Sequence, residues 1–371
     1  MSFFKTFEFV LSFYSDIFVT IHMNNKQLTK ELTMNKLTKI GASALCGSLA
    51  TISAANAGEL AVTGSAIMTW SSIESSNTGN PLGINSAFSL DGSSELENGW
   101  TAGLGVAIDD KNTYSNANVT LGVPGIGDFR ISQGVSGSGI DRMDDKTPIV
   151  WEEAYATGLS TGIDTVAGVS GGAGIEFTPS MTPDGLTARV SWSPNACGSG
   201  STDKASSGVC AGVTDTGFDV TLSASSDLLG VEGLSIYGGI SRIDQHQNGS
   251  ATNDDKDEET VGISYAMGGF TVGYQMSSED LGRATGATKY ENDGYGITFS
   301  VNDNLSVGYN HYESEQSNST NVTAEASSVQ LSYTMGGATF VIAEATSDNN
   351  NYSTAAGNDN DATTVSVALA F

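Results

Sequence analysis

Apolar and small or polar residues alternate along most of this chain, in runs of about ten positions. In "ETVGISYAM" (259–267), Val261, Ile263, Tyr265 and Met267 share one side, opposite Gly262, Ser264 and Ala266. A period of two is the signature of a β-strand with two unlike faces. The same division recurs elsewhere. Tyr295, Ile297, Phe299 and Val301 oppose Gly296, Thr298 and Ser300, while Phe218, Val220 and Leu222 oppose Asp219, Thr221 and Ser223. Val329, Leu331 and Tyr333 oppose Ser328, Gln330, Ser332 and Thr334. One face is apolar; the other is too small and too polar to fill a dry core, and suits a wall that lines water.

This pattern predicts sixteen strands, near 60–70, 84–94, 100–109, 116–123, 128–134, 173–179, 186–194, 216–226, 234–244, 259–267, 270–279, 291–301, 305–315, 325–335, 338–347 and 361–371. Met-Gly-Gly closes two hairpins, at 267–269 and 335–337, because glycine supplies the positive φ of a tight turn. Asn302-Asp303-Asn304 closes a third. Short turns alternate with long polar segments at 135–172, 195–215, 245–258, 280–290, 316–324 and 348–360. A soluble sandwich or barrel with one wet side shares the alternation, but it needs more bulky residues across a core and no such asymmetry of loops. A transmembrane antiparallel β-barrel has short turns at one rim and long loops at the other. Sixteen strands leave an aqueous channel, and an even number returns both chain ends to one side.

Composition agrees. Glycine is frequent at 45 residues, proline scarce at 6, and only 39% of residues are hydrophobic. No stretch of the body approaches the 18 apolar residues of a helical span. The amino terminus reads as a processing segment. "MNKLTKIGASALCGSLATISAANA" (34–57) combines Lys36 and Lys39, an apolar run from Ile40 and the small-residue site Ala55-Asn56-Ala57, the pattern of a secretory signal peptide. Residues 1–33 read as an upstream extension from a misplaced start, with Met23 as an alternative start, and 58–371 as the mature barrel.

Removing 1–57 leaves 10 basic and 39 acidic residues, a formal charge of −29. Nucleic acid is excluded as a partner, since phosphate binding needs clustered Lys and Arg. The mature chain keeps Cys197 and Cys210. Export and proximity favour a disulfide over a metal site.

The mature start "GELAVTGSAIMTW", the segment "GVPGIGDFRISQG", the hairpins "YAMGGFTVGY" and "YTMGGATF" and the terminal "VALAF" resemble the general bacterial porins, particularly those of alphaproteobacteria. The resemblance spans essentially all of 58–371. It implies a sixteen-stranded, homotrimeric outer-membrane barrel that passes small hydrophilic solutes, among outer-membrane lipid and lipopolysaccharide. It also implies a third external loop folded inward, and a terminal Phe371 that signals to the barrel assembly machinery. No cofactor is implied.

On that count the third external loop is roughly 135–172. Within it Asp141, Asp144, Asp145, Glu152 and Glu153 are the candidate acidic face of the constriction, with Arg142 and Lys146 expected to pair with them locally. The family's Pro-Glu-Phe-Gly-like loop signature is not present there. By parity Arg130 and Arg189 point from the wall into the lumen. Acids facing arginines across a narrow aqueous gap focus a transverse field, and the acidic excess predicts modest cation selectivity. The run "DDKDEE" (254–259) reads as a solvated acidic loop without calcium-loop spacing. The mature chain has only His246 and His311, neither in a catalytic or metal motif, so an enzyme is not expected. The alternative to a channel is a structural or adhesive surface barrel whose long loops are its business.

Overall fold

The computed structural model describes residues 58–371, apart from 75–79, 110–112, 134–136, 145, 171, 197–213, 246–253, 284–285, 287, 318–320 and 356. The 1–33 and 34–57 segments, Asp145, Cys197, Cys210 and His246 therefore lie outside the described residues. Sixteen antiparallel strands form one closed barrel in which every strand pairs with its sequence neighbours and the last pairs with the first. They are β1 (Glu59–Ile73), β2 (Leu82–Glu95), β3 (Thr101–Asp109), β4 (Thr113–Val123), β5 (Gly127–Gln133), β6 (Ala173–Pro179), β7 (Leu186–Asn195) and β8 (Thr214–Ala224), followed by β9 (Leu234–Gln245), β10 (Lys256–Met267), β11 (Phe270–Asp280), β12 (Lys289–Ser300), β13 (Leu305–Ser317), β14 (Val322–Met335), β15 (Ala338–Asp348) and β16 (Asn360–Ala370). All sixteen expected strands are present. β8 ends at Ala224, two residues before the expected 226, and the β8–β9 connection carries a short helix, α1 (Ser226–Leu229).

The two faces sort as the sequence pattern requires. Val261's neighbours Ile263, Tyr265 and Met267 stand exposed on the outside, as do Val329, Leu331 and Tyr333. Thr260, Ser328, Gln330, Thr364 and Ser366 are buried on the inside. An apolar exterior with a polar interior is the inverse of a soluble protein and fits a barrel solvated by lipid. Aromatic residues of the outer face stand at two levels. Phe129 stacks on Phe177 and Phe270 on Phe299 near the short turns, with centroids 4.6 and 4.3 Å apart. Tyr274, Tyr295 and Tyr309 lie on the outer face farther up β11–β13.

The barrel closes at the β16–β1 seam, with Ser65 opposite Ala370 and Ile73 opposite Ala362. Phe371 completes it. Its N–H donates to the Gly64 carbonyl at 2.9 Å, and the Gly64 N–H donates to the Phe371 carbonyl at 3.2 Å. Its ring stands exposed on the exterior. Closure leaves no unpaired edge, which hydrocarbon would not tolerate.

Candidate functional site: a loop laid along the lumen wall

The connection between β5 and β6 is the third of the long-loop rim, and it turns into the barrel. Its described part starts with a short 3₁₀ helix, Gly139–Met143, and includes a second, Ala154–Ala156. Inward-facing side chains of successive strands hold it down. Glu176 of β6 accepts the Gly139 N–H at 2.9 Å. Asp219 of β8 accepts the N–H groups of Ile140 and Val169 at 2.9 and 3.2 Å, gathering both ends of the loop on one oxygen. Glu258 of β10 accepts from Ala167 at 3.0 Å. Gln275 of β11 donates to the Met143 carbonyl at 2.6 Å, and Asn292 of β12 to that of Asp164 at 3.1 Å. Asn310 of β13 and Gln330 of β14 accept the N–H groups of Ala154 and Trp151 at 2.6 and 2.9 Å. Leu159 then packs against Ala345 and Ala362 of β15 and β16.

Strand register explains why these anchors line up. Glu176 lies opposite Ser191, Ser191 opposite Asp219, Asp219 opposite Ser241, and Ser241 opposite Glu258. The three carboxylates therefore occupy alternate strands along one lateral row of the inner wall. The small residues between them let backbone approach closely. Gly139 and Gly168 have φ of +62° and +55°, and a Cβ on either would overlap the Asp219 carboxylate. Both positions need glycine for conformation and for room. The small-residue face expected to line water thus has a second use from β6 to β16, as a bed for the loop.

The expected site residues are distributed as follows. Arg130 on β5 donates to the Gly137 carbonyl at 2.7 Å, steadying the loop's entrance. Arg142 does not pair locally as expected. It reaches Glu176 on the wall, with Nη2–Oε1 of 2.6 Å and Nε–Oε2 of 3.0 Å. The bidentate fork suits a carboxylate better than the loop's own turns allow. Arg189 of β7, Arg142, Lys146, Asp141, Met143, Gly137 and Ser223 line a recess of about 360 Å³. Both Arg130 and Arg189 feel the charges of Arg142 and Glu176. Asp141 accepts the Gly137 N–H, and Asp144 accepts the Thr165 hydroxyl. Glu152 contributes its carbonyl to Asn310 and Gln330. Glu153 is buried and caps the second 3₁₀ helix with an extended backbone.

The acidic run at 254–259 also departs from expectation. β10 begins at Lys256, three residues before the expected start, and carries the run into the wall. Glu258 is 3% exposed and pairs with Lys256, which also pairs with Glu279, both at 2.6 Å. Buried charges need such partners, so this part of the run is structural and not a solvated loop.

A closed sixteen-stranded barrel with an apolar exterior, a polar lumen and a loop narrowing that lumen defines a transmembrane channel. The Gram-negative porin family model matches residues 41–352, and the chain belongs to that family. It is an outer-membrane channel for passive diffusion. Among solved structures, Salmonella typhi OmpF in complex with daunomycin is similar at 13% identity and a TM-score of 0.63, covering 87% of this chain and 100% of that one. The anion-selective porin from Comamonas acidovorans is similar at 13% identity and a TM-score of 0.63, with 84% and 99% covered. A mutant of Rh. blastica porin gives 16% identity, a TM-score of 0.55, and coverage of 84% and 100%. At these identities the likeness is one of fold. Comparison with curated proteins gives no match of significance.

Proposed function

We propose that the barrel passes small hydrophilic solutes and ions, with a modest preference for cations, and works as a homotrimer set in outer-membrane lipid and lipopolysaccharide. The observation that carries this reading is the inner wall: small polar side chains facing a lumen along which one loop is pinned rather than packed through its centre. Such a lumen holds water, and a narrowed aqueous gap sorts solutes by size and charge. The cation preference rests on charge. Acids outnumber bases 39 to 10 in residues 58–371. Asp141, Asp144, Asp145, Glu152 and Glu153 supply the loop's negative charge, and Arg142, Arg189 and Lys146 in the recess, with Arg130 on β5, oppose it, which keeps the preference modest. Reversal potentials across a planar bilayer under a salt gradient, at low ionic strength where screening is weak, test it. A shift toward the cation potential is expected. Anion selectivity defeats the charge reading, and a barrel without conductance favours the structural or adhesive alternative.

A further inference from the structure

On the outer face, one lateral row of residues runs Tyr274, Tyr295, His311, Ser327 and Thr346 across β11 to β15. The next outward-facing row toward the long loops runs Met276, Asp293, Glu313, Glu325 and Asp348. Four carboxylates therefore stand directly opposite one another on four adjacent strands, immediately above a tyrosine level. Like charges in direct cross-strand register repel. Among the described residues no Lys or Arg forms an ion pair with this row; Lys289 pairs instead with Glu291, at 2.6 Å. His311 is the exception to the uniform charge. Its Nδ1 meets the Ser327 hydroxyl at 2.7 Å and its Nε2 lies 3.0 Å from Glu313 Oε1.

When Nδ1–H donates to Ser327, Nε2 turns a lone pair toward a carboxylate. In that tautomer the lone pair and the carboxylate can share a cation, at the place where the other tautomer puts one proton. Donor atoms of His311, Glu313 and Glu325 all lie within 4.8 Å of one another, close enough to share one ion. A hydroxyl or carbonyl on the second imidazole nitrogen is the arrangement that orients a ligating histidine. We propose that His311, Glu313 and Glu325 form a divalent-cation site on the outer wall, with Ser327 as the positioning residue. An imidazole nitrogen with two carboxylate oxygens favours Zn²⁺ over Mg²⁺ or Ca²⁺. The ion offsets the charge of Glu313 and Glu325, two of the four acids in the row, and ties β13 to β14. This goes beyond the channel reading and does not depend on it.

The test uses folded full-length barrel in detergent, stripped with chelator and carrying His246→Gln, which removes the other imidazole of residues 58–371. Calorimetric titration with Zn²⁺ is expected to show one site per chain. Glu313→Gln and His311→Gln should each abolish it, while Ser327→Ala should weaken it about 10- to 100-fold. Glu344→Gln, on the same outer face and two rows nearer the short turns than Glu325, should leave it unchanged. Heat-modifiable gel mobility confirms that each variant is folded. Zn²⁺ binding that persists in His311→Gln, or that Ca²⁺ and Mg²⁺ match in wild type, overturns the proposal and leaves an acidic surface only. No Zn²⁺ binding by folded wild type overturns it as well.

Discussion

Replacing Asp219 with alanine should free the inward loop while leaving the barrel intact. Its carboxylate is fully buried and accepts two loop N–H groups, one from each end of the loop. Hydrogen bonds to a charged group contribute about 1.5–3 kcal/mol each, so docking should lose about 3–6 kcal/mol. Even the lower figure enriches the undocked loop roughly 100-fold, at about 1.4 kcal/mol per factor of ten. The barrel itself gains by shedding a buried charge, which costs several kcal/mol to hold away from water. The two effects therefore separate. Trypsin should cut at Arg142 or Lys146 far faster than in wild type, and single-channel recordings should show more noise and spontaneous closures. The heat required to unfold the barrel should not fall. Asp219→Asn, which keeps an accepting oxygen without the charge, should lie between. If Asp219→Ala resists trypsin and conducts as quietly as wild type, the carboxylate is not what holds the loop.

Three further outcomes are expected. Phe371→Asp should lower the yield of folded outer-membrane protein while signal cleavage proceeds, because a charge then sits on the lipid face of the seam; normal yield counts against this. Cys197 and Cys210 should form a disulfide worth about 3 kcal/mol in the chain-entropy model, and two titratable thiols after non-reducing unfolding would refute it. Arg130→Ala with Arg189→Ala should raise the cation-to-anion permeability ratio about two- to threefold, since a wall potential of a few kT is partly screened by salt. An unchanged reversal potential removes these arginines from the selective zone.

The strands were legible because alternation is a local property. Val261, Ile263 and Tyr265 show their shared face without reference to any other strand. The anchors were not. Glu176, Asp219 and Glu258 lie far apart in sequence, and only the register of five strands brings them into one row beneath the loop. A usable signal did exist: each is an acidic residue on a strand face that is mostly Ser, Thr, Gly and Ala. The parity of Asp219 was plain, but parity gives only the side of the wall, not what covers it. Arg142 illustrates the same limit. Its sequence neighbours are acids, yet its partner Glu176 comes from the next strand. The alternation also ran out at Lys256, where charged residues on both faces hid the first turns of β10.

The seam between β16 and β1 has a consequence for how the protein comes into being. The hydroxyls of Ser71 and Thr364 meet at 2.9 Å across 293 residues of chain. The first strand made thus waits for the last before its outer edge finds a partner. A ribosome product that stops short is not a smaller pore but an open sheet, with two raw edges in hydrocarbon. A nonsense mutation late in the gene should therefore behave as a null, and the cell must keep the whole polypeptide unfolded in transit until its final residues arrive.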